Sequence, residues 1–554
     1  MSPATLIAVT AAGYFVDIYD LLLFSIVRVQ SLKDLGLEGD LLLSQGVLLM
    51  NLQMAGLLIG GLFWGILGDR KGRLAVLFGS ILTYSSANLL NAGLLHLPPP
   101  WALPAYGALR LIAGIGLAGE LGAAVTLVTE VCSKERRGLA TAFVASMGIA
   151  GAVFAGFVAE HAHWTHAYLV GGMMGLVLLL TRVRLAESSL FQALEEKSGL
   201  ARGDWWSLLI QKNLRSRYLG AIAQGMPIWF VVGVLLTFSP EIGKELRITT
   251  NPPGSPLQPG RLIMFCYAGA VVGDFLAGVL SQLLKSRRKA IASFLALTGL
   301  GLGVFVTFFD RSFEEFCWLA AFMGFASGYW AVLLSSTAEQ FGTNLRSTVT
   351  STVPNFIRAT VIPMSWIFFA VGKATSLLFA SGLVAGGTLL LAAWCLSRSR
   401  ETFGSDLDFD ERDSSEQGLP PPILFFDGEC NLCNHTVDFL VKRGMGGKIR
   451  FASLQGKTAQ KLLPAEYRAG PKKDLGTLVL LETDQLHLRS PAVFRIGVLL
   501  GGPLGFLAIL AQSLVPRALG DWGYDLVAKN RMRWLGRRPT CRLALPHERE
   551  WFLE

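Results

Sequence analysis

The chain has 554 residues, of which 52% are hydrophobic and 16% charged, and its mean hydropathy is +0.47. This composition excludes an ordinary soluble protein of this length, because most of the chain is too apolar to remain in water. The formal net charge of +9 indicates anchoring at the cytoplasmic side of a membrane. It does not indicate nucleic-acid binding, because no basic tract is interleaved with aromatic residues.

Apolar runs long enough to cross a membrane, roughly 20 residues each, occur twelve times before residue 397. The first run lacks a basic segment before it and a small-residue cleavage site after it, so it is expected to be kept as the first helix. The runs lie near residues 5–28, 44–68, 73–95, 104–131, 138–159, 166–183, 217–239, 261–284, 289–309, 314–338, 349–371 and 375–396.

Lysine and arginine concentrate in every second loop between these runs. Because such residues favour the cytoplasmic side, the pattern predicts that both termini are cytoplasmic and that the chain crosses the cytoplasmic membrane many times. The basic loops contain Arg70, Lys71 and Arg73; Lys134, Arg136 and Arg137; the long loop 184–216; Lys285, Arg287, Arg288 and Lys289; Arg346; and Arg398 and Arg400.

The long loop 184–216 divides the membrane region into residues 1–183 and 217–396, and weak copies of the same features recur in both parts. Glu130 with Arg137, after the fourth span, is echoed by Glu339 with Arg346 after the tenth. Parallel repeats of this kind are typical of transporters that rock two halves around a central site.

The loop between the second and third spans carries the most specific motif of the membrane region. Gly61 and Gly65 leave a helix face bare enough for close packing, and residues 68–73 then form a short charged turn. A basic loop that only anchors two spans is the simpler interpretation. The spacing G-x-x-x-D-R-x-G-R nevertheless resembles the signature loop of the major facilitator superfamily. The matching residues are Gly65, Asp69, Arg70, Gly72 and Arg73.

This resemblance covers about residues 5–396 and implies a twelve-helix transporter with two six-helix halves. It also implies a cytoplasmic gate. Asp69 would lie beside the start of the eleventh helix, near residues 347–349, where the helix dipole favours a negative charge. Arg70 and Arg73 would reach Glu130.

Ionisable side chains inside the predicted spans are candidates for function, because each costs several kcal/mol unless it is paired or hydrated. Asp17 and Asp20 lie three residues apart on one face of the first span. Their repulsion favours protonation of one of them, which makes them candidate proton carriers. The alternative is that neighbouring hydroxyl groups or helix ends satisfy both. Arg110 and Glu120, in the fourth span, lie about 15 Å apart along the helix axis and cannot pair directly.

Arg358 lies in the eleventh predicted span, with Asn355 three residues earlier on the same face. A guanidinium group at this depth requires a carboxylate partner or an anionic substrate. Arg358 could therefore form a structural ion pair or anchor the substrate, and both interpretations are open. Asn355 could share either task. Asp274 is a further acid within the eighth span.

Residues 13–21, GYFVDIYDL, resemble the first helix of the phosphate:proton and metabolite:proton symporters of this superfamily. Ala118-Gly119-Glu120 resembles the Gly-Gly-acid pattern of their fourth helix. This second resemblance implies that Asp17, Asp20 and Glu120 take part in proton coupling and substrate contact.

Beyond the last span, residues 397–421 contain seven acids between Glu401 and Glu416 and end in three prolines, which predicts a flexible linker. The strand pattern 423–426 is followed by Cys430-x-x-Cys433 and a helical pattern, as in thioredoxin-like domains. A helix N-terminus stabilises the thiolate of the first cysteine, and the second lies one turn on. Half of a zinc site and a structural relic are the alternatives.

The tail also resembles the DCC family of thiol-disulfide oxidoreductases over about residues 422–546. That likeness implies a catalytic group of Asp427, Cys430 and Cys433. Further strands are expected at 448–452 and 477–482, and the apolar run 492–515 is interpreted as packed helices and not as a thirteenth span. The basic segment 531–538 could instead lie on anionic lipid. Further matches to the family are FASLQ at 451–455, NRxRW at 530–534 and CRL at 541–543.

The sequence therefore predicts a mostly α membrane protein with twelve helices and a small cytoplasmic α/β thioredoxin-like domain at 422–554. Its predicted function is proton-coupled symport of a small polar solute, which is expected to be anionic. The redox domain is tethered to this transporter. The alternatives are a membrane-anchored oxidoreductase and a redox-linked nutrient sensor, each with a degenerate transporter. No cofactor, metal or nucleic acid is expected. The expected partners are protons, the solute, the lipid bilayer and a cytoplasmic thiol or disulfide.

Overall fold

The computed structural model of the chain contains two compact units. The first comprises residues 1–203 and 216–410, and the second comprises residues 204–215 and 411–554. The residues that the structure describes are 3–71, 73–120, 137–186, 205–250, 257–405, 421–445, 449–467, 478–482, 485–536 and 546–553.

The first unit is helical. Its described helices follow the predicted spans closely and extend most of them by a few polar residues at each end. They are α1 Pro3–Asp34, α2 Gly39–Lys71, α3 Arg73–Ala92, α4 Pro99–Leu117, α5 Arg137–His161, α6 Trp164–Ala186, α8 Lys212–Phe230 with a π-helical turn Val231–Leu236, α9 Ser239–Glu245, α10 Pro259–Leu283, α11 Arg287–Val306, α12 Phe313–Ala326, α13 Trp330–Glu339, α14 Thr343–Ala359, α15 Val361–Ala374 and α16 Leu377–Arg398.

Within the described residues, nine helical stretches are long and apolar enough to cross a membrane. They are α1, α2, α6, α8, α10, α11, the pair α12–α13, the pair α14–α15 and α16. Helices α3, α4 and α5 occupy the positions of the predicted third, fourth and fifth spans.

The tenth predicted span is broken between α12 and α13, at residues 327–329. A break exposes backbone N–H groups that a buried helix must satisfy elsewhere. The Asp274 carboxylate does so, because its Oδ1 accepts a hydrogen bond from the Ala331 backbone N–H at 3.1 Å. This half-buried acid therefore caps a half-helix, which gives it a structural role.

Glycines bring α2 and α4 into backbone contact. A Cβ atom at Gly56 would overlap the carbonyl oxygen of Leu111, and one at Gly114 would overlap that of Gln53. On α2, the predicted packing face is confirmed at Gly61, where a Cβ would lie 3.2 Å from Asn355 of α14. At Gly65 no described atom lies within 4 Å of the position of a Cβ, so packing there stays a prediction.

The second unit contains a five-stranded sheet in the order β4-β3-β1-β2-β5. Strand β1 pairs in parallel with β2 and antiparallel with β3. The prediction found the first three strands but missed β4 and β5. The strands are β1 Ile423–Phe426, β2 Arg450–Ser453, β3 Val479–Glu482, β4 Gln485–Leu488 and β5 Phe552–Leu553.

The helices of this unit surround the sheet. The predicted packed helices at 492–515 are confirmed as two helices, α19 and α20, separated at Gly501, whose φ of +69° lies in the left-handed region that suits glycine. The helices are α7 Trp205–Ile210, α17 Asn431–Lys442, α18 Lys457–Leu462, α19 Arg489–Leu500, α20 Gly502–Leu514 and α21 Arg517–Leu535.

Helix α7 lies in the predicted 184–216 loop, yet its contacts place it in the second unit. A Cβ at Gly505 of α20 would lie 2.9 Å from the Ile210 side chain, and Leu208 is fully buried. The segment between the two membrane halves thus contributes a short helix to the tail domain.

Replacing Gly114 by valine should lower the melting temperature of the purified protein. The added side chain would force α4 away from α2, and overpacking of this kind typically costs about 1–3 kcal/mol. The matched control is Gly303→Val in α11, where the position of a Cβ is open. Equal melting temperatures for the two variants would contradict the close approach of α2 and α4.

Candidate functional site

Seven charged side chains on the described membrane helices of the first unit are at most 7% exposed. One of them, Arg28, pairs with Glu241, and the other six form a group. Three are acids and three are arginines, so their formal charges sum to zero when all are ionised. Burial of charge is tolerated when opposite charges neutralise one another. The acids are Asp17, Asp20 and Glu120, and the arginines are Arg110, Arg182 and Arg358.

Glu120 and Arg182 form a two-pronged ion pair between the end of α4 and α6. Arg182 Nη1 donates to Glu120 Oε2 at 2.9 Å, and Arg182 Nη2 donates to Glu120 Oε1. Gly13 of α1 lies against this pair, and a Cβ there would overlap both side chains. The sequence reasoning singled out Glu120 but missed Arg182. The same rule, an ionisable residue inside a predicted span, would have found it.

Asp17 lies on α1 with neither carboxylate oxygen accepting a hydrogen bond from a described residue. Arg358 is its strongest opposite-charge neighbour, and Glu120 and Arg182 also lie within electrostatic range. Among the described residues, no hydroxyl group or helix end therefore satisfies this acid, as the alternative interpretation requires.

Arg358 is fully buried on α14. Its Nη1 lies 3.4 Å from Asn355 Oδ1, and its guanidinium carbon lies 5.6 Å from the centre of the Trp229 ring. Its Nε and Nη2 atoms have no hydrogen-bond partner among the described residues. Arg358 and Asn355 thus lie together, as predicted. Two of the guanidinium nitrogens of Arg358 can still donate hydrogen bonds to another group.

Asp20 and Arg110 form a second acid–arginine group nearer the C-terminal end of α1. Asp20 lies against Gly171 of α6, where a Cβ would overlap its carboxylate. Arg110 is its main electrostatic partner and donates to the Tyr168 hydroxyl at 2.8 Å. As predicted, Arg110 and Glu120 are not paired with each other.

A buried ion pair joins the two halves at the end of the bundle where α1 terminates. Arg28 Nη2 donates to Glu241 of α9 at 2.8 Å and to the Thr237 carbonyl oxygen at 3.2 Å. Arg28 is fully buried. The sequence reasoning missed this pair, because Arg28 falls at the predicted boundary of the first span. Arg28 and Glu241 thus link the two halves at this end.

The predicted cytoplasmic gate cannot be compared with the structure. The side chains of Asp69, Arg70 and Arg73, and all of Gly72 and Glu130, lie outside the described residues. The second half contains a related pair in which Arg287 Nη2 lies 3.0 Å from Glu339 Oε1. Glu401 caps the start of α11 by accepting from the Arg287 backbone N–H at 2.8 Å, and the Thr402 hydroxyl donates to Glu339 at 2.7 Å. The first residues of the predicted linker are therefore fixed.

The two thiols of the tail lie at the start of α17. Cys430 is the residue that precedes the helix and is fully buried, whereas Cys433 is half-buried one turn later. The two thiols lie within hydrogen-bond reach of each other. Burial, followed by the proximity of Cys430, raises the pKa of the Cys433 thiol to about 12. This geometry fits a pair in which one sulfur reacts first and the other resolves the product.

Asp427 is held beside the thiols by three groups. Its Oδ2 accepts from Arg531 Nη2 at 3.1 Å, and its Oδ1 accepts from Gln455 Nε2 at 2.9 Å and from the Glu429 backbone N–H at 3.1 Å. Both members of the Asp427–Arg531 ion pair are nearly buried. The alternative that segment 531–538 lies on lipid therefore does not hold for Arg531, which points into the domain.

The family models agree with both units. A model described as Major Facilitator Superfamily matches residues 10–353, which is more than half of the chain. The chain belongs to the major facilitator superfamily. A second model, described as DCC1-like thiol-disulfide oxidoreductase, matches residues 424–537. This superfamily member is thus a multi-pass membrane transporter with a DCC-like domain at its C-terminus.

Curated relatives divide in the same way. The membrane region is 25% identical over 370 residues to the niacin transporter NiaP of Acinetobacter baylyi, covering 62% of this chain and 81% of that protein. The tail is 37% identical over 141 residues to the uncharacterized protein YuxK of Bacillus subtilis, covering 25% of this chain and 98% of YuxK. A DCC-like protein of the tail's length therefore exists as a separate chain.

Solved structures of the superfamily share the fold of the membrane region. The D-xylose-proton symporter covers 73% of this chain and 100% of its own, with a TM-score of 0.55 and 19% identity. The E. coli xylose transporter XylE in a partially occluded inward-open conformation gives a TM-score of 0.56, with 16% identity, 73% of this chain and 99% of its own. At this identity the likeness defines the fold alone.

Neutralising one member of the Glu120–Arg182 pair should destabilise this transporter more than neutralising both. Each single variant, Glu120→Gln or Arg182→Gln, leaves an unpaired buried charge, which typically costs about 3–5 kcal/mol. The double variant removes both charges and should regain much of the lost melting temperature. Additive losses would contradict the pairing. Arg311→Gln and Glu315→Gln, at an exposed pair, are the controls and should leave the melting temperature unchanged.

Proposed function

We propose that this transporter is a proton-coupled symporter of a small anionic solute across the cytoplasmic membrane. The observation that carries the proposal is Arg358, a fully buried arginine with two guanidinium nitrogens that have no described partner, next to the unsatisfied carboxylate of Asp17. A buried cation with free donors is suited to a carboxylate ligand.

Charge balance gives a physical reason for coupling. The six buried charges cancel, so a monoanion that binds Arg358 leaves the group with one excess negative charge. Excess charge in a low-dielectric site is costly, and binding of one proton removes it. Asp17 is the proposed proton site, because the solute competes with it for Arg358. The proposed stoichiometry is therefore one proton for each monoanion.

Aromatic carboxylates are the proposed class of solute. Trp229 lies beneath the Arg358 guanidinium group and provides a flat apolar surface beside the cation. The relatives include transporters named for niacin, for gentisate and for 3-(3-hydroxy-phenyl)propionate. Each of these compounds carries a carboxylate on, or attached by a short chain to, an aromatic ring.

The two halves would alternate access to this site. With both termini in the cytoplasm, the Arg28–Glu241 pair lies at the outer end of the bundle and favours closure there. Asn355 donates to the Ala118 carbonyl oxygen of the first half at 3.0 Å. A solute that draws Arg358 and Asn355 together would therefore also act on a contact between the halves.

Uptake into proteoliposomes tests the symport proposal. With an inward proton gradient, uptake of nicotinate, gentisate or a phenylpropionate should be accompanied by proton entry, measured with an internal pH indicator. Asp17→Asn should abolish accumulation of the solute against its own concentration gradient. Exchange of solute across the membrane at equal concentrations on both sides should remain. Arg358→Gln should abolish both, and Arg358→Lys should raise KM, because a lysine cannot bind a carboxylate with two parallel hydrogen bonds.

The matched control is Asp40→Asn, at an exposed acid in the first turn of α2. It should behave as the unmodified protein. Gradient-driven accumulation that persists in Asp17→Asn would refute Asp17 as the proton site. Uptake of neutral analogues at the same rate as the carboxylates would refute the role of Arg358.

We further propose that the tail reduces disulfides of a cytoplasmic partner. The Cys430 thiol loses its proton and its sulfur attacks one sulfur of the partner disulfide, forming a mixed disulfide and releasing one partner thiolate, which takes up a proton. Cys433 then loses its proton and attacks Cys430, which forms the Cys430–Cys433 disulfide and releases the second thiol. Two electrons and two protons pass from the domain to the partner.

The pH dependence of the second step follows from the Cys433 thiol. Because burial raises the pKa of this thiol above its ordinary value, the resolving step should still accelerate as the pH rises past about 8.5, where an ordinary thiol is half ionised. Breakdown of a preformed mixed disulfide on the full-length protein measures this rate. Cys433→Ser should block the breakdown, and Cys395→Ser is the control. A plateau near pH 8 would refute the raised pKa, and no exchange at Cys430 would refute a working redox domain.

A further inference from the structure

Exposed apolar side chains of the second unit cluster on two helices. Of the thirteen large apolar residues that are exposed among its described residues, ten lie on α20 and α21. Monomeric soluble domains rarely keep so many on one surface unless that surface binds something. The ten are Leu504, Leu507, Leu510, Leu514, Leu519, Trp522, Leu526, Val527, Trp534 and Leu535.

Helix α21 presents a stripe that is both apolar and basic. Residues 519, 522, 526, 529 and 533 follow one another at spacings of three or four and therefore share one helical face. They are Leu519, Trp522, Leu526, Lys529 and Arg533, and all five are exposed. No acid interrupts this stripe, so it combines hydrophobic area with two positive charges.

The acids of α21 lie away from the stripe. The Ser490 hydroxyl donates to Asp521 at 2.6 Å, and Arg489 lies 3.5 Å from Asp525. Arg531 of the same helix holds Asp427 at the thiol site, and the Leu535 carbonyl oxygen accepts from Asn431 at 2.8 Å. One face of α21 is thus fixed to the domain, and the opposite face is free.

Helix α20 continues the apolar surface. Leu504, Leu507 and Leu514 are 44%, 58% and 76% exposed and lie on one helical face. The other face of α20 packs on α7, where Ile210 approaches Gly505. A bend of 120° separates α20 from α21. The two helices therefore form one angled surface, and α21 cannot leave the domain to cross a bilayer without breaking the Asp427–Arg531 pair.

We propose that this surface of α20 and α21 lies in the headgroup region of the cytoplasmic leaflet, on anionic lipid. Leucine and tryptophan suit the boundary between headgroups and acyl chains, and the lysine and arginine suit the negative charge of that leaflet. The chain itself tethers the domain to the membrane helices. Helix α7 is separated from the membrane helix α8 by Gln211 alone, and the linker joins the domain to α16. Such tethering raises the local concentration of the domain at the membrane.

Nitroxide accessibility in the full-length protein tests this proposal. A nitroxide on an incorporated p-acetylphenylalanine at position 507 or 522 leaves every cysteine unchanged. In nanodiscs that contain anionic lipid, both positions should collide with oxygen, which concentrates in lipid, more often than with a water-soluble nickel chelate. The control is position 462 on α18, where Leu462 is also exposed and should favour the nickel chelate.

Charge variants separate the lipid proposal from non-specific exposure. Lys529→Glu with Arg533→Glu should shift positions 507 and 522 toward the accessibility of position 462, whereas Lys529→Arg with Arg533→Lys should not. Equal access of the nickel chelate to positions 462, 507 and 522 in the unmodified protein would overturn the proposal. So would protection that appears only after cytoplasmic extract is added, because that result indicates a protein partner.

Discussion

Neutralisation of buried charge is the constraint on which the membrane unit depends. Glu120 and Arg182 satisfy each other through two hydrogen bonds and so join α4 to α6. Asp17 and Arg358 are only within electrostatic range, and atoms of both have no described hydrogen-bond partner. Breaking the first pair is costly, because it leaves an uncompensated buried charge, whereas groups of the second lack such mutual hydrogen bonds. The same physical rule thus separates a structural ion pair from the group that is proposed to bind the solute.

Glycine makes this arrangement of charges possible. Gly13 leaves space on α1 for the Glu120–Arg182 pair, and Gly171 leaves space on α6 for the Asp20 carboxylate. In both cases a single Cβ would occupy the volume of the charged group. Gly56 and Gly114 act differently, because there the missing Cβ lets the backbones of α2 and α4 touch. Small residues in these helices therefore serve both helix contact and placement of charge.

Much of the fold was predictable from hydropathy, since a span requires a long apolar run and this chain contains few other long apolar segments. The helical break in the tenth span was not predictable, because the Asp274 carboxylate that caps the start of α13 lies 57 residues away in sequence, where no periodicity reveals it. Strand β5 has only two residues and depends on its pairing with β2. Apolar periodicity also could not assign α7 to the tail, because that contact joins segments some 300 residues apart in sequence.

For the site, the rule that an intramembrane charge is a candidate led to Asp17, Asp20, Arg110, Glu120 and Arg358. The rule also covers Arg182 and Arg28, but these lie close to the ends of predicted spans, where arginine is ordinary, and they were passed over. Which acid pairs with which arginine required coordinates, because the partners lie on different helices. At the thiol site, Asp427 and the two cysteines were evident from their motif, but the role of Arg531 depends on a contact 104 residues away.

The fixed start of the linker has a mechanical consequence. Glu401 and Thr402 are bound to the loop that begins α11 and to Glu339, so the tether leaves the membrane unit from a point that is rigidly part of its second half. Helix α7, the other attachment of the tail, immediately precedes α8, the first helix of that same half. Both of these attachments of the tail therefore lead into the second half of the membrane unit.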